Sequence, residues 1–286
     1  MTRAAARTRL AAGALIARAE AELRPVTDTA RLEAELLLAQ ATGLARAAII
    51  AGPERTIGAD AASRFEVLVA RRSRGEPLAY IVGYREFYSL GLAVGPAVLV
   101  PRPETEALVD AALDRLAKLG AKVLDLGTGS GAIALALKHE RRDLAVTAVD
   151  CDAAALEIAR ANARALGLEI RCLRSDWYAA LAGERFDLVV SNPPYVASGD
   201  PHFEGALAHE PRIALDGGGD GLKAHRAILR DAHLHLAPGG RLLVEHGFEQ
   251  REALTRLASA SGLTLDAAID DLAGLPRVAS FRASVP

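Results

Sequence analysis

Cysteine is nearly absent from this chain of 286 residues. Its two cysteines, Cys151 and Cys172, are too few for a disulfide framework, and no Cys-x-x-Cys pair stands ready for zinc or redox work. Two buried free thiols in a reducing cytoplasm are the simplest expectation. No run of 18 apolar residues occurs, so no spanning helix and no membrane partner are expected. A dominant charge is missing too: the net charge is −2 and the pI about 6.4, unlike a chain built mainly to grip nucleic acid. Among the seven histidines, His233 and His235 lie two apart and so face different sides of a helix, and no metal is expected.

What is present describes a soluble globular protein, with 51% apolar and 24% charged residues. The length accommodates a full α/β domain and a smaller partner. Charge is unevenly divided: residues 1–75 carry 12 Arg against 8 acidic residues, a net +4, leaving −6 for the rest. A basic front piece of this kind is suited to an acidic partner surface, and equally to a solvated helical surface without one. Arg3, Arg7 and Arg9 before the apolar run Leu10 to Ala17, with Ala17-Arg18-Ala19 behind, imitate a secretory leader. The periodic acidic continuation through Glu20, Glu22 and Leu23 reads instead as one amphipathic helix.

Residues 5–74 read as a small helical bundle, with Leu10, Leu15 and Ile16 at helical spacing, then Leu32, Leu36 and Ala39 after a cap at Asp28 and a stop at Gly43. From Glu76 the texture turns aromatic, β-branched and glycine-broken (Tyr80 to Tyr84, Phe87 to Leu92), predicting a hairpin that joins two domains. The expected division is 1–75 for a helical docking domain, 76–100 for the hairpin linker and 101–286 for an α/β domain. Beyond Pro101 strand and helix alternate. Candidate strands are Lys122 to Leu126, Ala145 to Asp150, Glu169 to Leu173, Phe186 to Ser191, Arg241 to Glu245, Thr264 to Ile269 and Pro276 to Phe281. Ala- and Leu-rich helices such as Ala153 to Leu166 and Leu222 to Leu236 lie between most of them. The pattern predicts a Rossmann-like, seven-stranded, mostly parallel sheet that binds its ligand at the carboxyl ends of the strands.

Two elements carry chemistry. Asp125-Leu126-Gly127-Thr128-Gly129-Ser130-Gly131 follows the first of these strands. Its glycine pattern alone also suits a nicotinamide or flavin dinucleotide. Asp125 favours S-adenosylmethionine, because a carboxylate attracts a cationic amino group and sulfonium and repels a pyrophosphate. Asp150 ends the next strand, 23 residues after Gly127, where it suits two ribose hydroxyls; Asp150 or Asp152 also suits the cap of the following helix. Trp177, the only tryptophan, reads either as an adenine platform beside Asp176 or as core.

The second element is Asn192-Pro193-Pro194-Tyr195, after Phe186 to Ser191 and 61 positions beyond Gly131. An amide or aromatic amine is a poor nucleophile because its lone pair is delocalised. An asparagine side-chain oxygen accepting one N–H and the Pro193 carbonyl accepting the other would turn that pair toward an incoming methyl. The prolines stiffen the acceptors, and Tyr195 can stack on the flat group.

Further stretches narrow the reading: Ala30-Arg31-Leu32-Glu33-Ala34-Glu35-Leu36-Leu37-Leu38, Gly75-Glu76-Pro77-Leu78-Ala79-Tyr80-Ile81-Val82-Gly83, Val100-Pro101-Arg102-Pro103-Glu104-Thr105-Glu106, Asp220-Gly221-Leu222, and Glu245-x-Gly247-x-x-Gln250. With these, nearly the whole chain resembles the HemK/PrmC family of peptide chain release factor glutamine methyltransferases. The resemblance implies a class I S-adenosylmethionine-dependent fold in the cytoplasm and methylation of the glutamine side-chain amide in the Gly-Gly-Gln loop of release factors 1 and 2. By matching position it puts Gly127, Thr128, Gly129, Ser130, Gly131, Asp150, Trp177 and Asn192 at the cofactor, and Asn192, Pro193, Pro194 and Tyr195 at the glutamine. Arg102 to Glu106 would shape the pocket wall or simply start a helix. His246 departs from the apolar residue usual in the family. The competing readings are a ribosomal-protein glutamine methyltransferase, a nucleic-acid (adenine) amino methyltransferase, which calls for a basic groove, and a cofactor-binding protein without activity.

Overall fold

The computed structural model describes residues 10–205 and 207–283. The chain divides into two compact units, one ending at Gly83 and the other opening at Tyr84. Arg3, Arg7 and Arg9, and residues 5–9 of the expected bundle, lie outside the described residues.

The first unit runs β1 (Leu10–Ala11), α1 (Ala12–Leu23), α2 (Ala30–Thr42), α3 (Arg46–Ala51), β2 (Thr56–Ile57), α4 (Ala59–Ser73) and α5 (Leu78–Val82). Ala12, Leu15, Ile16, Ala19 and Leu23 recur at helical spacing on α1 and are all buried, packing with Leu37, Leu38, Phe65 and Val69. Three expectations change here. A two-residue antiparallel pairing of β1 with β2 interrupts the all-helical reading. Asp28 is not the cap of α2: the Thr27 and Thr29 hydroxyls both turn to Glu33 Oε1, at 2.7 and 3.4 Å, so the start of α2 is organised by a glutamate one turn in. Residues 78–82 form a helix rather than a strand, stopped by Gly83 at φ 73°. Gly43 ends α2 in the same left-handed way. The buried acids Glu33 and Glu35 are matched by Arg72 (2.6 Å) and Arg46 (2.8 Å).

The second unit opens with a hairpin, β3 (Tyr84–Phe87) and β4 (Leu90–Ala93). Its two-residue turn holds Tyr88 and Ser89 at positive φ, 50° and 60°, as such tight hairpins require. Tyr88 is fixed there by N–H donation to Glu106 Oε1 (2.8 Å) and hydroxyl donation to Asp110 Oδ1 (2.7 Å). There follow α6 (Glu106–Leu113), β5 (Lys122–Leu126), α7 (Ala132–Glu140), β6 (Ala145–Asp150), α8 (Ala153–Leu166), β7 (Arg171–Arg174), β8 (Phe186–Ser191), α9 (Lys223–His235), β9 (Leu236–Glu245), α10 (Arg251–Ala260), β10 (Leu263–Asp270) and β11 (Pro276–Ala283).

Seven strands form one sheet in the order β10-β11-β9-β8-β5-β6-β7, and β11 alone runs antiparallel to its neighbours. The central strands read as continuous apolar runs because helices cover both faces. Alternation along each strand sorts the side chains: Val123, Ala148, Leu188, Val190 and Leu243 pack on one side with α6, α7 and α8, while Leu124, Leu126, Val149, Val189 and Leu242 pack on the other with α9 and α10. Leu124 has no exposed surface. Leu124→Ala should lower unfolding free energy by roughly 2–5 kcal/mol, read as a reduced urea midpoint. A loss under about 1 kcal/mol would mean the face is not close-packed.

Candidate active site

Parallel register brings distant residues to one level. Leu126, the last residue of β5, pairs with Val149 on one side and Ser191 on the other. The next residue of each strand, Gly127, Asp150 and Asn192, therefore leaves the carboxyl edge beside the other two, where the strand order reverses. They open onto a cavity of about 950 Å³, large enough for a sizeable ligand and part of a second.

The glycine loop is shaped by backbone. Gly127, Gly129 and Gly131 hold φ of 71°, 54° and 84°, a region closed to most side chains. Gly127 and Thr128 donate their N–H groups to the Val149 carbonyl at 2.9 Å. Gly127, Thr128, Gly129 and Ser130 line the cavity, whereas Gly131 stands behind it: a Cβ there would lie 3.0 Å from Leu135 Cδ1 and 3.3 Å from the Ala159 Cβ. Asn162, at 2% exposure, donates to the Ser130 carbonyl (2.9 Å) and exchanges hydrogen bonds with Ala93, joining loop, α8 and hairpin.

Asp150 and Asp152 divide the two roles open to them. Asp152 caps α8 by accepting the Ala154 N–H (2.8 Å). Asp150 stays at the cavity wall, accepting the Gly129 N–H (2.9 Å) and the Asp152 N–H (2.9 Å). Burial raises its pKa, and these backbone donors oppose the rise.

Asp125 departs from expectation. It is fully buried beneath the loop, accepts the Thr128 hydroxyl at 2.6 Å and is not among the lining residues. Burial pushes its pKa up to about 7. The cause is register: as the next-to-last residue of β5, Asp125 points to the face opposite its neighbours, under α7, and braces the loop from below. The thiols also differ from expectation. Cys151 is exposed on the cavity wall because it lies one residue past the end of β6, and Cys172 is half-buried.

Trp177 lines the cavity while also packing against one core. Its φ of 46° is strained for a bulky residue. Ser175 holds that turn, donating to the Trp177 carbonyl (2.7 Å) and accepting the Ala180 N–H (3.0 Å). Asp176 stands beside it on the wall.

On the other side, Asn192 and Pro194 line the cavity and Pro193 is buried. Asn192 Nδ2 donates to Thr105 Oγ1 at 3.1 Å. Tyr195 turns away: its hydroxyl donates to Glu245 Oε1 (3.0 Å), and it is not among the lining residues. The corner is clamped from behind by Gln250, which accepts the Gly247 N–H (2.9 Å) and donates to the Tyr195 carbonyl (3.0 Å). The Glu245-x-Gly247-x-x-Gln250 stretch is thus a brace. His246 is fully buried beside it, and burial lowers its pKa, so it sits neutral with Nδ1 against the Gly247 carbonyl. Arg102 and Thr105 form part of the wall, and Pro103–Thr105 is also a turn leading into α6, so both readings of that stretch hold. Arg102 pairs with Glu210, which also accepts the Val100 N–H (3.0 Å). Glu210 was beyond sequence reasoning, since it bears no type-specific chemical signal.

Strand order, the glycine loop at the reversal point and the cavity at the strand ends together define a class I methyltransferase. Residues 104–220 match the profile of the methyltransferase small domain, and residues 14–83 that of the PrmC N-terminal domain. The chain is 46% identical to a release factor glutamine methyltransferase of Burkholderia pseudomallei, over 92% of this chain and 95% of that protein. It is 48% identical to one of Xylella fastidiosa, over 87% and 91%. The crystal structure of a methyltransferase from Pyrococcus furiosus shares the fold at 20% identity, with a TM-score of 0.54 over 76% of this chain and 98% of that one. The chain belongs to the release factor glutamine methyltransferase family.

Gly221 explains the Asp220-Gly221-Leu222 stretch. Its φ is 72°, and a Cβ there would overlap the Tyr195 carbonyl and the Gln250 amide. Gly221→Ala should lower unfolding free energy by roughly 1–3 kcal/mol through strain and loss of the clamp. An unchanged denaturation midpoint would show that the corner has room to spare.

Proposed function

We propose that the protein transfers a methyl group from S-adenosylmethionine to the side-chain amide nitrogen of the glutamine in the Gly-Gly-Gln loop of release factors 1 and 2. One observation carries this reading. Asn192 lines the cavity beside Asp150 and the glycine loop, with one Nδ2–H donated to Thr105 at 3.1 Å and Oδ1 available as an acceptor for a substrate N–H.

The residues present fit the cofactor. The positive-φ glycines leave the loop wall without side chains, so a ligand can approach the backbone closely. Asp150 has carboxylate lone pairs left for ribose hydroxyls, and Trp177 with Asp176 offers a face and an acceptor for an adenine ring. When bound, the cofactor supplies a methyl group on a positively charged sulfur, which departs as a neutral thioether. Asn192 Oδ1 accepts one amide N–H of the glutamine and the Pro193 carbonyl the other, which turns the nitrogen lone pair toward the cavity. Holding nitrogen and carbon roughly 3–3.5 Å apart supplies much of the rate. The nitrogen forms one new bond to carbon and loses one proton to solvent. Tyr195, tied to Glu245, acts by stiffening the corner.

Incubation with methyl-labelled cofactor and purified release factor, followed by mass mapping, should place the label on that glutamine alone. Label elsewhere, or none, would refute the proposal. Asn192→Ala should cut kcat by about 100-fold or more with cofactor affinity within about twofold, whereas Asp150→Ala should weaken cofactor binding first. Equal loss of cofactor binding in both would undo this division of labour.

The helical unit is proposed as the docking element, supported by the net charge of +4 on residues 1–75. Several of its arginines already bond carboxylates, among them Arg46 and Arg72, so attraction would come from the summed field. Removing residues up to Gly83 should depress kcat/KM on whole release factor by at least about tenfold more than on a short glutamine peptide. Similar losses on both would exclude docking.

A further inference from the structure

The chain that returns from the asparagine corner to α9 is rich in charge, and most of it is matched close at hand. Asp200 bonds His202 at 2.6 Å, Glu210 pairs with Arg102, and Asp220 pairs with Arg226. Asp216 is taken by the Ser198 hydroxyl (2.6 Å), the Gly218 N–H (2.9 Å) and Arg212 (3.1 Å). The lysine and arginine side chains on the cavity wall are Arg102, Lys223 and Arg230. Arg102 has Glu210, and Arg230 has Asp231 at 2.6 Å. Among the described residues, the Lys223 ammonium has neither a carboxylate nor a hydrogen-bond acceptor.

Lys223 is anchored beside the corner. It is the first residue of α9, and its N–H donates to the Gly217 carbonyl at 2.8 Å. The Gly217 N–H in turn donates to the carbonyl of Val196, the residue after Tyr195, at 2.8 Å. Two residues before Lys223, Gly221 lies so close to the Tyr195 carbonyl that a Cβ would overlap it. The lysine stem covers Gly218, where a Cβ would lie 3.1 Å from the Lys223 Cβ. Backbone and stem are thus fixed against the segment that continues Asn192 to Tyr195. The end of the four-carbon stem remains free to turn its ammonium into the cavity.

We propose that Lys223 reads charge in the substrate: its ammonium receives a carboxylate side chain lying near the reacting glutamine in the bound polypeptide. The inference rests on the function proposed above and adds to it a preference for an acidic neighbour. A carboxylate meets a compact point charge with charge-assisted hydrogen bonds. Backbone carbonyls would meet it too, but every peptide supplies them alike and they select nothing. The cofactor carries a carboxylate of its own, and placement decides between the two sources. Lys223 is tethered through Gly217 and Gly221 to Val196 and Tyr195, on the side proposed for the glutamine, whereas the glycine loop and Asp150 leave from β5 and β6. An ion pair at the rim of a wet cavity is worth a modest amount and is screened by salt. It therefore ranks substrates and leaves the chemistry of transfer to the corner.

The test uses the full chain and peptides built around Gly-Gly-Gln, with a single Asp walked through about four positions on either side of the glutamine, a reach of roughly 13 Å in extended chain. Each Asp peptide is matched with its Asn counterpart. The wild type should favour the best Asp peptide by about 3- to 10-fold in kcat/KM, mainly through KM, and the preference should shrink as salt is raised. Lys223→Gln should erase the preference, Lys223→Glu should invert it, and Lys223→Arg should keep most of it. The side chain is exposed, so all three variants should unfold at the wild-type urea midpoint. Affinity for S-adenosylhomocysteine should stay within about twofold throughout. A wild type without the preference, or a preference that survives in Lys223→Gln, would overturn the proposal. So would a larger loss of S-adenosylhomocysteine affinity in Lys223→Gln with 5′-methylthioadenosine bound as before, because the carboxylate would then be the cofactor's. A wild type that labels neither peptide nor release factor would strike the proposed function and this inference with it, whereas labelling of Asp and Asn peptides alike would strike this inference alone.

Discussion

The site depends on one register. Leu126 pairs in parallel with Val149 and with Ser191 at once, so three chain segments far apart in sequence reach the sheet edge at the same height. A slip of one residue in β8 would send Val189 and Val190 to the wrong faces and withdraw Asn192 from the cavity. Both faces of these strands are buried under helices, and every inward residue of β5 and β8 has a partner layer. Register is therefore fixed by packing over the whole sheet, and the chemical groups inherit that precision without contributing to it.

The two sides of the cavity are built differently. The side proposed for the cofactor is mostly backbone: glycines at positive φ, N–H groups on the Val149 carbonyl, and Asp150 held by two N–H donors. The side proposed for the substrate is a corner suspended from side chains, with Gln250 on the Tyr195 carbonyl, Tyr195 on Glu245 and Thr105 on Asn192. Burying Glu245, His225 and His246 together costs stability, and Glu245 Oε2, His225 Nδ1 and His246 Nε2 remain unpaired. Such a cluster is a poor way to stabilise a core and an effective way to specify orientation.

Where strands are long, apolar and bounded by glycine or proline, the sequence was legible: β5, β6 and β8 lie where the pattern puts them, and α8 runs from Ala153 to Leu166 as read. The glycine loop and the asparagine corner were legible because their residue types have few other uses. The hairpin edge was not. Tyr88 and Ser89 make a turn that favours Asn-Gly, and Tyr88 is held there by Glu106 and Asp110, partners invisible from local sequence. Leu78–Val82 carries β-branched and aromatic residues yet folds as a helix, because Ile81 packs into the bundle core and tertiary burial overrides propensity. Asp125 and Tyr195 show another limit. Their places were clear, but the direction each side chain takes depends on alternation along a strand and on Glu245, 50 residues away.

This asymmetry bears on what each side tolerates. A wall whose loop N–H groups are bonded to Val149 and Asp150 keeps its shape through the backbone, provided the glycines remain glycine. A corner suspended from side chains fails at any of several positions, since the acceptor must face inward and the amide that provides it has no intrinsic preference for doing so. Rigidity in Pro193 and Pro194 fixes where Asn192 sits but leaves its side chain free to rotate. The remaining freedom is one amide torsion, and the hydrogen bond from Asn192 Nδ2 to Thr105 Oγ1 at 3.1 Å restrains it.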